Sequence, residues 1–316
     1  MTDLTNPIFT DETAARLHLE QIRWPNGVVS CPYCGVVGNA KALGGKSMGD
    51  GWYHCPDCRK KFTVRVGSVY ERSHIPLHKW VLATHLLCAS KKGMSAHQLH
   101  RMLGVTYKSA WFMAHRIRES MKDTDLTPMG GPESSGTVEV DETYMGDTEY
   151  TYTTGKGWRG KRGTPSAKIK VVSLVERGGH VKSVKVERLS KGEVQDLLVA
   201  NIDPEATIMT DESALYRGVS KDFAAHKTVN HSKKEYARGK VSTNTVEGFF
   251  SIFKRGMVGT YQHCGEQHLK RYLAEFDFRY NTRLALEITD AARRDLALYG
   301  AEGKRLTYRR INGPQV

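Results

Sequence analysis

Four cysteines and three acids are the residues whose types and spacing point to chemistry. Cys31-Pro-Tyr-Cys34 and Cys55-Pro-Asp-Cys58 fall in one 28-residue window as C-x2-C-x20-C-x2-C. Two tight turns that each present a pair of thiolates close a tetrahedral shell around Zn²⁺, leaving no open position, so the expectation is structural zinc rather than catalysis. In a reducing cytosol such pairs would not be disulfides. The intervening Gly44, Gly45, Gly49 and Gly51 suit the turns of a small β-ribbon. Further along, Asp141, Asp211 and Glu247 stand with 69 and then 35 residues between them. Carboxylates drawn from such distant elements repel one another unless a cation neutralises them. Mg²⁺ or Mn²⁺, hard and oxygen-seeking, is the expected guest, and a pair of ions would clamp the attacking and leaving oxygens of an in-line phosphoryl displacement.

The elements that must position these acids follow from local pattern. Asp141 ends a strand-like run that begins at Val138, and Asp211 follows a short strand over 206–210. Glu247 lies in a helix from Thr245 to Met257 with an apolar stripe of Val246, Phe249, Phe250, Phe253 and Met257. Lys254 stands two turns beyond Glu247 on the same edge with Arg255 beside it, and both are candidate DNA contacts. Glu139 and Glu142 flank Asp141 and are expected on the opposite face of the strand, solvated or locally paired. The whole order is three meandering strands, helix, strand, helix, strand, helix, an α/β layer on a mixed sheet.

Ahead of this half, residues 77–88 are apolar at helical spacing, Ser95 opens a second short helix, and Thr106 opens a third after Gly104. The third helix is expected to bury Ala110, Met113, Ala114, Ile117 and Met121. Lys108, Trp111, His115, Arg118 and Lys122 then lie on a basic, aromatic face suited to the major groove, with Lys108, Trp111 and Arg118 as the candidate DNA contacts. The expected partition is a zinc ribbon with an N-terminal helix over 1–72, a helix-turn-helix region over 73–124, a linker over 125–136, a catalytic domain over 137–282 and a helical tail over 283–316. Within the catalytic domain a Gly-rich basic loop carries Lys156, Trp158, Arg159, Lys161 and Arg162, either a phosphate grip or plain surface.

Composition narrows the partner. With 47 Lys and Arg against 34 Asp and Glu, the net charge of +13 favours a polyanion: DNA, RNA or an anionic membrane surface. No apolar run approaches about 18 residues, and the first residues carry acids where a signal peptide needs bases. Secretion and membrane spanning are therefore disfavoured, the cytoplasm is the expected compartment, and double-stranded DNA leads.

Five segments together resemble a known family: Val138-Glu-Val-Asp-Glu-Thr-Tyr144, Thr210-Asp211, Asn230-His-Ser232, the run from Asn244 to Arg255, and the run from His268 to Asn281. They are similar to the ISXO2-like bacterial transposases, DDE-type enzymes preceded by a zinc ribbon. The resemblance implies a ribonuclease-H-like catalytic domain with helices on both faces of a mixed sheet. It also implies Mg²⁺-dependent cleavage and strand transfer at the ends of an insertion sequence, by a homo-oligomer on DNA. On it, Asp141, Asp211 and Glu247 match the three acids and Lys254 the basic residue beyond the third. Relatives can carry Asn at the third position, and Asn244 lies one turn before Glu247. Two other readings stay open: a catalytically silent DNA-binding regulator derived from such an enzyme, and a metal-dependent nuclease without joining activity.

Overall fold

The helical spacings of the first third of the chain become helices, each with the cap its sequence carries. The computed structural model describes residues 3–45, 48–124, 127–132, 134–146, 150–153, 157–160 and 168–307. It divides into one unit of Met1–Lys122 with Thr282–Val316 and another of Asp123–Asn281. In the first unit, α1 (Glu12–Arg23) begins where Asp11 accepts from the Ala14 N–H. A three-stranded antiparallel ribbon follows, β1 (Lys41–Leu43), β2 (Trp52–His54) and β3 (Lys61–Phe62). Buried Trp24 meets the rings of Tyr53 and Phe62 edge-on at 5.0 and 6.1 Å, joining α1 to the ribbon. Arg23 adds hydrogen bonds to the Val64 and Val66 carbonyls at 2.7 and 2.6 Å.

Three helices come next, α2 (Leu77–Ala89), α3 (Ala96–Leu103) and α4 (Tyr107–Ser120). The Ser95 hydroxyl accepts from the Gln98 N–H, and that of Thr106 from Ser109, each at 3.2 Å. Gly104, at φ +60°, closes α3 in the left-handed region that glycine enters without a Cβ penalty. The expected stripe of α4 is buried, but its opposite face departs from expectation. His115, Arg116 and Arg118 are buried as well, Arg118 to 2 % exposure, because the second half of the helix is enclosed on all sides. Arg118 is thus not an exposed DNA contact. The open part of α4 is its first turn, where exposed Tyr107 stacks on His97 of α3 at 4.2 Å beside exposed Lys108. Half-buried Trp111 follows, against the His115 ring at 4.1 Å.

In the second unit, β4 (Thr137–Met145) leads to β5 (Tyr150–Thr153) and β6 (Gly157–Gly160), a separate antiparallel pair within the expected basic loop. Of that loop's candidate contacts, Lys156, Lys161 and Arg162 lie outside the described residues, as do the side chains of Trp158 and Arg159. Then come β7 (Ile169–Glu176), β8 (Val181–Val186), α5 (Lys191–Asn201), β9 (Thr207–Thr210) and β10 (Ala225–Thr228). The helix expected between the last two strands is instead two short 3-10 turns, Ala214–Tyr216 and Val219–Lys221, separated by Gly218 at φ +91°. A small hairpin, β11 (Ala237–Arg238) and β12 (Val241–Ser242), precedes α6 (Asn244–Gly256) and α7 (Leu269–Asn281).

The main sheet runs β10-β9-β4-β7-β8, with β10, β9 and β4 parallel and β4, β7 and β8 antiparallel. It is therefore a mixed sheet within an α/β unit. Strand alternation splits its two cores cleanly. Val138, Val140, Val172 and Leu174 pack with Val194 and Leu198 of α5, whereas Val171 and Val175 pack with Phe249, Phe253 and Phe276 of α6 and α7. The expected linker contributes as well: Met129 is buried in the α5 core, and the Gly130 N–H reaches Glu176 at 2.8 Å.

The chain after Asn281 belongs to the first unit. Arg293, on α8 (Asp290–Tyr299), hydrogen-bonds the Cys88 carbonyl of α2 at 3.1 Å and the Thr282 carbonyl at 2.8 Å. Among the described residues no helix is long and apolar enough to cross a membrane.

Asp277 pins α7 to the edge strand, accepting from the Ser183 N–H at 2.8 Å and the Ser183 hydroxyl at 2.7 Å. Burial pushes its carboxyl up to about 7, against the Ser183 bonds that favour the charged form. A folded value above the ordinary one near 4 means that the fold holds the neutral acid. Its contribution is full below about pH 4 and is lost as pH rises through about 7, at a slope approaching roughly 1.4 kcal/mol per pH unit. Asp277→Asn should flatten the fall in stability between pH 5 and pH 8, as measured by urea unfolding. A variant that loses as much stability as wild type over that range would contradict this assignment.

Candidate functional site

The two cysteine turns converge. The Sγ atoms of Cys31 and Cys58 are 3.6 Å apart, as are those of Cys34 and Cys55, and all four lie within 4.8 Å of one another. Tetrahedral Zn–S bonds of about 2.3 Å place sulfurs roughly 3.8 Å apart, so the thiols stand close to where one ion would hold them. Burial opposes the Cys31 thiolate, yet N–H groups of Tyr33 and Cys34 outweigh it and bring the thiol down to about 7. Cys55 moves the other way, to about 12: the Cys58 N–H favours its thiolate, but burial and the neighbouring Cys34 disfavour it more. A second thiolate forms beside the first only with a cation between them, which is what a zinc site supplies.

The acids are assembled by the sheet and by α6. In the parallel pairing of β4 with β9, Val138 faces Ile208 and Glu139 faces Met209. Beyond these pairs Asp141 lies in the middle of β4, which runs on to Met145, and Asp211 directly follows the carboxyl end of β9. Asp141 also faces Ser173 of β7, on the sheet face covered by α6 and α7. Glu247 sits in the first turn of α6, where its Oε1 accepts from the Thr243 hydroxyl at 2.9 Å.

The charges sense one another. Burial pushes the Asp141 carboxyl up to about 7; the Glu142 N–H pulls it down, and the charges of Glu142, Asp211 and Glu247 push it up further. Burial likewise raises Glu142, and so does Asp211. Asp141 is therefore within electrostatic reach of both Asp211 and Glu247. Their oxygens are more widely spaced than the thiols, since among the described residues only the four cysteines bring three or more ligand atoms within 4.8 Å. An all-oxygen donor set has the chemistry of a hard divalent cation's site.

The flanking acids divide differently from expectation. Glu142 does lie on the opposite face, with its Oε2 accepting from the buried Tyr216 hydroxyl at 2.6 Å. Glu139 is two residues from Asp141, so it shares that residue's face, and it is fully buried rather than solvated. Sequence reasoning also passed over His231, whose Nε2 lies 3.6 Å from Glu247 Oε1 and 3.3 Å from the Thr243 hydroxyl. Its turn is held by Glu212, which accepts from the N–H groups of His231 and Ser232 and from the Ser232 hydroxyl. The Ser232 hydroxyl is the main reason that Glu212 falls to about 2. The signal was the Asn230-His-Ser232 motif itself.

Asn244 is exposed at the start of α6. Lys254 and Arg255 are exposed near its end, Arg255 folded back onto the Ser251 carbonyl and hydroxyl at 3.0 and 2.9 Å. Lys254 remains the more available of the two for a phosphate.

Comparison with known proteins bears on both sites. Residues 133–281 match the family model of the ISXO2-like transposase domain, and residues 10–61 that of the transposase zinc-ribbon domain. The chain is also 28% identical over 280 residues to a protein of Halobacterium salinarum described as an uncharacterized protein in transposable element ISH50. That alignment covers 86% of this chain and 91% of the relative. The zinc-ribbon match and the converged cysteines together support structural zinc.

Freshly purified protein should carry about one Zn²⁺ per chain, needed to fold the ribbon. Cys31→Ser combined with Cys58→Ser should abolish it and expose Trp24 to solvent. Elemental analysis finding no zinc in wild type, or equal zinc in the double variant, would refute this.

Proposed function

Because the chain belongs to the ISXO2-like transposase family, we propose that it is the active transposase of an insertion sequence, binding the element's ends and cutting and joining DNA there. The observation that supports the reading is that the charges of Asp211 and Glu247, from the end of β9 and the first turn of α6, both bear on the buried Asp141 carboxyl of the neighbouring strand β4. The mixed sheet with helices on both faces suits a ribonuclease-H-like catalytic domain.

Asp141, Asp211 and Glu247 would hold Mg²⁺ or Mn²⁺. Bound there, such ions polarise the scissile phosphate and acidify the attacking water or 3′ hydroxyl. The chain's own residues set the geometry. Adjacent strands β4 and β9 carry or lead to the two aspartates, Thr243 holds one oxygen of Glu247, and exposed Lys254, two turns along α6, would meet a phosphate beside the cut. In the first unit, α3 and α4 act as a helix-turn-helix whose exposed first turn, with Lys108 and Trp111, contacts double-stranded DNA. The net charge of +13 supplies the sequence-independent part of that affinity. Assembly as a homo-oligomer would let two ends be processed together.

Asp141→Ala and Asp211→Ala should each slow Mg²⁺-dependent end cleavage by about a thousandfold or more, the loss of several kcal/mol of charge stabilisation, while end binding is retained. Cleavage by either variant near the wild-type rate removes that residue from the site. Lys254→Ala should instead slow cleavage of bound DNA and reduce the salt slope of binding by about one counterion. Single-turnover cleavage and binding isotherms across salt concentrations test both effects, and an unchanged Lys254→Ala variant would leave that side chain as solvated surface.

A further inference from the structure

The helix that carries Glu247 is capped in an unusual way. Its N-cap residue, Thr243, makes no side-chain bond to the helix's own N–H groups. The Thr243 hydroxyl, which would ordinarily satisfy one of them, points instead to Glu247. The freed N–H groups are taken by an acid from another element. Glu139 of β4 accepts from the Thr245 and Val246 N–H groups through Oε2, at 2.8 and 3.1 Å. Its Oε1 accepts from the Thr245 hydroxyl at 2.9 Å and from Arg177 Nε at 2.6 Å.

Those four bonds use the roughly four lone-pair positions a carboxylate offers, so Glu139, although on the same face as Asp141, has none left for a metal. Arg177 extends the clasp. It donates to the Lys240 carbonyl at 2.6 Å and to the carbonyl and hydroxyl of Ser242 at 2.9 Å, on the hairpin that leads into α6. A negative charge at a helix N-terminus is favoured by the aligned peptide dipoles, and a fully buried one persists only when paired. Along β4, Glu139 stands two residues from Asp141; along α6, its contacts at 245 and 246 immediately precede Glu247.

We propose that Glu139 is a positioning residue that fixes the start of α6 to the strand bearing Asp141, and so sets the separation of Asp141 and Glu247 that a metal pair requires. This rests on the transposase reading of the three acids. Glu139 ligates nothing itself; its effect reaches the metal through the placement of Glu247.

The test is Mn²⁺ titration of the full-length, zinc-loaded protein, following the electron paramagnetic resonance signal of free Mn²⁺, alongside end cleavage across Mn²⁺ concentrations. Glu139→Gln keeps the shape but replaces one acceptor oxygen with a donor. It should weaken Mn²⁺ binding about tenfold, the lower end of what outer partners of metal ligands cost. Its cleavage should recover when Mn²⁺ is raised by a similar factor. Thr245→Val, which removes one of the four bonds and leaves the backbone contacts, should weaken Mn²⁺ binding by a smaller factor and serves should Glu139→Gln not fold. A merely structural role would lower the unfolding temperature without moving the metal affinity of folded protein, and that result overturns the proposal. So does wild-type Mn²⁺ affinity in both variants. Asp141→Ala is the control that separates the two levels. If it binds Mn²⁺ as wild type does, the reading of the acids fails and takes this inference with it; if it loses Mn²⁺ while Glu139→Gln and Thr245→Val do not, only the positioning role fails.

Discussion

Asp141 occupies a place where burial and three neighbouring carboxylates all oppose its charge, and much of the second unit can be understood as the structure that keeps it there. Burial is the largest part of what moves that carboxyl up to about 7, and the neighbouring charges add to it, so like charges would separate if their elements were free to move. Two things resist that. The β4–β9 ladder, which pairs Val138 with Ile208 and Glu139 with Met209, fixes the strands that lead to Asp141 and Asp211, and side-chain repulsion does not slip it by a residue without turning the whole core-facing set outward. For α6 the restraint is the seam of Phe249, Phe253 and Phe276, where each buried ring contributes roughly 1.5–3 kcal/mol. The seam holds α6 against the sheet, so Glu247 stays near the buried Asp141 carboxyl, whose ionisation a bound cation would favour.

The same balance accounts for the polar contacts around the site. Thr243, Glu212 and Glu142 hold loops and side chains through hydrogen bonds, Glu142 through the hydroxyl of Tyr216, whose ring lies in the α5-side core. Each uses a hydrogen bond at a place where an apolar contact would exclude water. Rigidity is thus divided: apolar below the sheet ends, hydrogen-bonded at them.

What could be read from the sequence was what is local. The cysteine spacing, the caps at Ser95 and Thr106 and the strand and helix runs around the acids depend on residues a few positions apart, and they appear where the pattern put them. Less visible was anything decided by distant packing. Arg118 lies on the face of α4 that a helical wheel calls exposed, but a wheel does not know that the second half of the helix is enclosed. The segment between β9 and β10, expected as a helix, is two short 3-10 turns broken at Gly218. Glu139 was within reach, since a residue two before Asp141 must share its face; its partners, more than a hundred positions away on α6, were not.

The first unit closes only with residues that follow the second, and this has a consequence for how the chain is made. Helix α4 ends at Ser120 and α8 begins at Asp290, so 169 residues are synthesised between them. At about 5–20 residues per second that interval is roughly 10–30 s, long compared with the folding of the intervening domain. Throughout it, α2 waits on the ribosome with its Cys88 carbonyl and neighbouring apolar surface still lacking Arg293 and the helix that covers them. The half of the molecule that is translated first is therefore completed last, and a nascent chain can present a finished second unit before the ribbon-bearing unit has closed.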